Sequence, residues 1–150
     1  MSEPARRILT PVDYQALAEF RYQIRRYLRF SEQAARQAGL EPRQHQLLLS
    51  VKGYGGELAV GELAERLQLR HHSVVELVDR LAKRGLVRRS RAVEGDRRRV
   101  SVRLTAKGEA ALAKLSLSHR AELETAGHAL MDSLRESKEE HSEVVPNIWI

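Results

Sequence analysis

Two apolar stripes separated by a three-residue break constrain this chain more than any other feature of it. Val60, Leu63, Ala64 and Leu67 fall at i, i+3, i+4 and i+7, which puts one apolar edge on about two turns of helix. Val74, Leu77, Val78 and Leu81 repeat the pattern beyond Gln68-Leu69-Arg70, and Gly85 stands where a left-handed helix end belongs, after Lys83 and Arg84. Helices this short do not hold their shape alone, so the two edges must bury one another. That is the layout of a helix-turn-helix, whose second helix turns its polar side to a DNA major groove.

A hairpin follows at once. Leu86-Val87-Arg88-Arg89-Ser90 and Val100-Ser101-Val102-Arg103-Leu104 read as strands, and in the second Val100, Val102 and Leu104 face one way while Ser101 and Arg103 face the other. The loop between them is Arg91-Ala92-Val93-Glu94-Gly95-Asp96-Arg97-Arg98-Arg99. From Arg80 to Arg103 there are ten basic residues and two acidic ones, a local charge of +8 in a chain whose total is +6, so the remainder carries −2. The positive charge is therefore concentrated rather than spread for solubility. A basic two-stranded wing suits a phosphate backbone or a minor groove.

The flanks give the rest of the architecture. A chain of 150 residues holds one domain with a real core, or one domain with dimerising arms. From about 12 to 38, Leu17, Phe20, Ile24, Tyr27 and Leu28 recur at helical spacing, with Asp13 as the expected N-cap after Pro11 and Gly39 at the end. Pro42 opens another helix, carrying Leu47, Leu48 and Val51 to Gly53-Tyr54-Gly55-Gly56. No Lys-Ser/Thr follows those glycines, so they read as a connection to a short strand at Leu58-Ala59-Val60 rather than as a phosphate loop. After the wing, Thr105 caps a helix expected over about 106–136, in which Leu112, Leu115, His119, Leu123, Ala126, Leu130 and Leu134 recur every three to four residues. One helix cannot bury that stripe; a second copy of the chain would. The tail 137–150 is polar and then abruptly apolar from Val144 to Ile150, either an arm docking on the partner copy or a disordered end.

Several classes are excluded. There is no cysteine, hence no disulfide, thiolate metal site or cysteine redox sensor. No apolar run approaches the length of a membrane span and MSEPARRILT lacks the apolar core of a secretory signal, so the expectation is a cytoplasmic protein with no membrane partner. The chain has no nucleophile elbow, phosphate loop or paired ligand motif, so it is not read as an enzyme and no cofactor is assigned. Of the six histidines, His71 and His72 are adjacent and project in different directions, while His45, His119, His128 and His141 show no HxxxH spacing. A metal-sensing regulator stays an alternative only if a site is assembled across helices with Glu or Asp; no metal is assigned.

The order helix-turn-helix, strand, Asp-Arg-Arg tip, strand and Leu-Thr-x-x-Gly resembles the MarR family of winged helix-turn-helix transcriptional regulators. The resemblance covers roughly Leu40 to Gly108, and its most specific pieces are Leu77-Val78-Asp79-Arg80-Leu81 with Gly85-Leu86-Val87, Asp96-Arg97-Arg98, and Leu104-Thr105-Ala106-Lys107-Gly108. It implies a mainly α fold with a small β-hairpin wing: a winged helix-turn-helix over about 40–105, flanked by N- and C-terminal dimerisation helices. It also implies a homodimeric, ligand-responsive repressor of double-stranded DNA with a pseudo-palindromic operator.

Residue roles follow from the same resemblance. His71, His72, Ser73, Val75 and Glu76 match base-reading positions: His and Ser donate to guanine or phosphate oxygens, Val75 meets a thymine methyl, and Glu76 accepts from a cytosine amino group. Glu76 departs from the more usual polar or basic residue. A second reading makes Ser73 and Glu76 a capping box that starts the helix later. Arg70 stands where a Ser cap is common and offers a phosphate contact instead. Arg80 either reaches phosphate or pairs with Asp79 and Glu76 on its own helix. At the wing, Arg98 is the groove-entering candidate, Arg97 and Arg99 the backbone partners, Asp96 the residue that orients the arginine, and Arg91 a further DNA-binding candidate. A small-molecule effector pocket is implied where the dimer helices meet the winged domain, with Tyr22, Arg26 and Tyr54 as candidate lining. The competing class is a non-specific nucleic-acid-binding or architectural protein using the same wing, with affinity dominated by salt.

Overall fold

The computed structural model describes residues 8–91 and 99–144, with the backbone alone at 134 and 136–144. The elements run α1 (Pro11–Gln37), α2 (Pro42–Gly53), β1 (Glu57–Ala59), α3 (Val60–Leu67), α4 (His71–Lys83), β2 (Val87–Arg91), β3 (Val100–Leu104) and α5 (Ala106–Val144). The contacts divide the chain into two compact units, 31–119 in one, 1–30 and 120–150 in the other. Residues 31–37 of α1 and 106–119 of α5 belong to the winged-helix unit, where Ala35, Leu112 and Leu115 are at most 4% exposed in its core.

That core is the meeting of the expected stripes. Leu63 of α3 and Val74, Val78 and Leu81 of α4 are fully buried, against Leu47, Leu48 and Val51 of α2 and Val102 of β3. At two to three kcal/mol for each Leu or Val removed from water, roughly, these side chains dominate the unit's stability. The helix-turn-helix break is made by Gln68, whose φ of 54° is left-handed, and Leu69 N–H then bonds back to Ala64 O at 3.0 Å. Gly85 closes α4 in the same way at φ 71°, with Leu86 N–H on Leu81 O at 3.0 Å.

The wing is one strand richer than the hairpin. β1 runs antiparallel to β3 with Leu58 opposite Val102, and β2 pairs β3 on its other side with Arg89 opposite Val102, giving the order β1-β3-β2. β1 begins and ends one residue earlier than expected, because Val60 is already the first residue of α3. The expected alternation in β3 holds, with Val102 fully buried and Arg103 exposed.

Leu104-Thr105-Ala106-Lys107-Gly108 is a joint. Thr105 Oγ1 donates to Gly85 O at 2.6 Å and accepts from Gly108 N at 3.1 Å, Thr105 N–H bonds to Leu86 O at 3.1 Å, and Lys107 Nζ donates to Arg84 O at 2.9 Å. The start of α5 is thereby fastened to the end of α4. Close approach demands the glycine: a Cβ on Gly108 would stand 2.1 Å from Leu86 O.

In the other unit the start of α1 departs from expectation. Thr10 is the cap and Asp13 the third helical residue, each bonding the other's backbone: Thr10 N–H to Asp13 Oδ2 at 2.8 Å and Asp13 N–H to Thr10 Oγ1 at 3.4 Å. Pro11 causes the shift, since its fixed φ suits the first helical position. Helix α5 also outruns its expected end near 136, reaching Val144 through Lys- and Glu-rich sequence that favours helix until Pro146 is near. Within this unit Leu17, Leu28, Leu123 and Met131 stay at least 44% exposed. The last residues of the tail lie outside the described residues.

Candidate nucleic-acid interface

Helix α4 begins at His71, so its turn-by-turn geometry assigns a direction to every candidate on it. Val74, Leu77, Val78 and Leu81 are buried. Opposite them His72, Glu76, Asp79 and Lys83 form the outward face, flanked by His71 and Val75 on one side and by Arg80 and Arg84 on the other. The N-cap is Arg70, in extended conformation and without a side-chain capping bond. This removes the capping-box reading of Ser73 and Glu76, since Ser73 is already the third helical residue. Its hydroxyl and the Glu76 carboxylate lie on a helix that does not need them for its start.

The His71 side of α4 faces the wing across a groove of about 580 Å³, floored by Val60, Val75, Val78 and Val100 and rimmed by Glu62, Arg89 and Arg99. Here the arginines are already engaged. Arg99 pairs with Glu62 of α3, and Arg89 pairs with Asp79 of α4. Arg99, expected at a DNA backbone, lies against Glu62 in the free protein, and Asp79, expected with Glu76 as one of two alternatives for Arg80, pairs with Arg89. Arg80 instead leans toward Glu41, just before α2, at 3.7 Å, with both side chains about 60% exposed (62% and 60%). A pair so long and so wet contributes little. Sequence separation hides these partners, since Arg99 and Glu62 are 37 residues apart.

On the other side of α4 lies a larger open groove of about 1140 Å³, between that helix, the Gln68-Leu69 turn and the start of α2. Arg36, Arg43, Arg80 and Arg84 line it with Glu32 and Glu41. Only Arg80 of these was singled out from sequence. The signal for the others is faint, because Arg36 and Arg43 sit on helices read solely for their apolar stripes.

Of the remaining candidates, Arg91 ends β2 exposed, while Asp96, Arg97 and Arg98 lie outside the described residues. Tyr22 and Arg26 lie together in the unit of 1–30 and 120–150, the guanidinium 5.8 Å from the ring centroid. Tyr54 is in the winged-helix unit under the guanidinium of Arg66, 3.3 Å from its centroid.

A buried histidine pair was not singled out as such. His45 of α2 and His119 of α5 are 3% and 8% exposed with ring centroids 4.6 Å apart. His119 Nδ1 lies 2.8 Å from Leu115 O, which can only accept, so its other nitrogen takes the Ser31 hydroxyl proton at 2.8 Å in the neutral ring. Burial first, and then the neighbouring His119, push the His45 imidazole below its ordinary 6.5. Among the described residues no three His, Asp or Glu side chains gather as metal ligands would, and no helix is long and apolar enough to cross a membrane.

Residues 38–99 match the sequence model of the MarR family. A MarR family transcriptional regulator from Silicibacter pomeroyi is 27% identical, over 95% of this chain and 97% of that one, with a TM-score of 0.67. AbsC, a MarR family regulator from Streptomyces coelicolor, shares the fold at 22% identity and a TM-score of 0.69, over 93% of both chains. So does a variant of E. coli MarR solved with operator DNA, at 19% identity and a TM-score of 0.64, over 88% of this chain and 94% of that one. No curated protein matches by sequence. The winged-helix fold of these structures thus extends over nearly the whole chain, with its helix-turn-helix at α3 and α4.

Proposed function

We propose that this chain is a MarR-type regulator, a sequence-specific double-stranded DNA-binding repressor that acts as a homodimer and answers to a small-molecule effector. One observation carries the reading: the outward face of α4 is polar, and arginines stand beyond it on both sides, Arg89 and Arg99 at the wing and Arg80 and Arg84 at the α2 groove. A helix about 10–12 Å across with its side chains fills a major groove about 12 Å wide, so base edges meet its face and phosphates meet its flanks. In this reading His71, His72, Ser73, Val75 and Glu76 read bases. Arg70, Arg80, Arg91 and Arg99 hold the backbone, with Asp96, Arg97 and Arg98 completing the wing tip.

The dimer is supported by Leu17, Leu28, Leu123 and Met131, apolar side chains left in solvent on α1 and α5. Two α4 helices related by a twofold axis would meet half-sites one helical turn apart. The effector would act by changing their separation. Tyr22, Arg26 and Tyr54 remain the candidate residues, each carrying an aromatic face or a guanidinium suited to an aromatic or anionic compound.

The test is selection of bound duplexes from a random library at near-physiological salt, followed by sequencing. A palindrome with half-sites about ten base pairs apart is expected. Retention without enrichment would make the protein a non-specific, architectural binder. Within the selected site, His72→Ala and Glu76→Ala are expected to change base preference; unchanged preference in both removes the reader assignment.

A further inference from the structure

The two flanks of α4 differ in how their arginines are held. On the wing side Arg89 and Arg99 each have a carboxylate partner. On the α2 side, Arg84 is held by a neutral group, its Nη1 donating to Gln44 Oε1 at 3.1 Å, and Gln44 is itself 3% exposed and fixed by the Glu41 backbone N–H. That guanidinium is thus aimed without being neutralised. Arg80 has only the loose contact to Glu41, and among the described residues Arg36 and Arg43 form no ion pair. Four guanidinium groups against Glu32 and Glu41 leave the groove with a net charge of +2.

We propose that this groove is a second phosphate cradle, in which Arg36, Arg43, Arg80 and Arg84 grip the DNA strand on the wall of the major groove opposite the wing. The inference rests on the DNA-binding reading above and adds Arg36, Arg43 and Arg84 to the Arg80 contact that reading contains. The geometry follows from filling the groove: a helix with bases at its face has a backbone on each side, and here one side carries arginines tied to carboxylates while the other carries arginines with no carboxylate but the loose Glu41 contact of Arg80. The open cradle supplies sequence-independent affinity and fixes the angle at which α4 enters. On the wing side, phosphates must first displace Glu62 and Asp79.

The experiment is fluorescence anisotropy of the selected duplex and of a scrambled duplex of equal length, titrated with the parent protein and with R36A/R43A over a range of salt. For each bound protomer, two lost phosphate contacts lower the slope of log K against log salt by about 1.8, so the loss of affinity from about 50 to 200 mM salt becomes roughly 12-fold smaller. Affinity for both duplexes should fall by a common factor at low salt, and R36K/R43K should restore most of it. Both side chains are exposed and unpaired among the described residues, so the parent's melting midpoint should be kept. Parental affinity and slope in R36A/R43A overturn the cradle while leaving the regulator reading intact, as does a loss confined to the selected duplex. A parent protein that holds neither duplex overturns the regulator reading and the cradle with it.

Discussion

Gly108→Ala tests the joint between α5 and α4 and sets two magnitudes against each other. Helix propensity alone favours alanine by about 1 kcal/mol. Against it, the new methyl would lie 2.1 Å from Leu86 O, 3.0 Å from Leu86 C and 3.4 Å from Leu86 Cα, all backbone that no rotamer change can move aside. Relief requires the start of α5 to retreat by about an ångström, a forced overpacking that costs ~1–3 kcal/mol. The same retreat lengthens the bonds from Thr105 and Lys107 to Gly85, Leu86 and Arg84, each worth about 0.5–1.5 kcal/mol. The net expectation is a loss of ~2–3 kcal/mol, read from urea unfolding at fixed protein concentration with the m-value checked for constancy. Gly127, also in α5, is the control: its added Cβ meets nothing within 4 Å, so Gly127→Ala should match or exceed the parent. Equal stability of Gly108→Ala and the parent would refute the close approach and, with it, the rigid joining of the two helices.

Two further outcomes are expected. His45 is held neutral in the fold, so below the ordinary imidazole value of 6.5 the unfolded chain takes up a proton that the folded one refuses; stability is present above that value and declines as pH falls. The melting midpoint should therefore drop between about pH 7 and 5.5, and His45→Gln should flatten that slope; equal slopes in parent and variant would remove the account. Ser73→Ala should change unfolding free energy by no more than about 0.5 kcal/mol, because the helix starts before it; a loss nearer 1 kcal/mol would reinstate the capping box.

The sequence by itself determined the helices, the helix-turn-helix and both wing strands, because each rests on a local rule. The stripes at Val60–Leu67 and Val74–Leu81 need only helical periodicity, β3 needs only alternation, and Gly85 needs only a backbone that tolerates positive φ. Even the Leu-Thr-x-x-Gly pattern was visible, although its purpose was not: Gly108 is required by Leu86, and nothing in the spacing states that they touch.

Tertiary structure decided everything that depends on two distant segments meeting. It brought β1 alongside β3, moved the ends of α1 and α5 that flank the winged helix into its core, and buried His45 against His119. It also sorted the arginines. In sequence they are one basic cluster, but Arg89 and Arg99 find carboxylates on α4 and α3, whereas Arg36, Arg43 and Arg84 do not. Charge is a property of composition; whether it is free to meet a phosphate depends on distances of a few ångströms between helices, which only the packed core fixes.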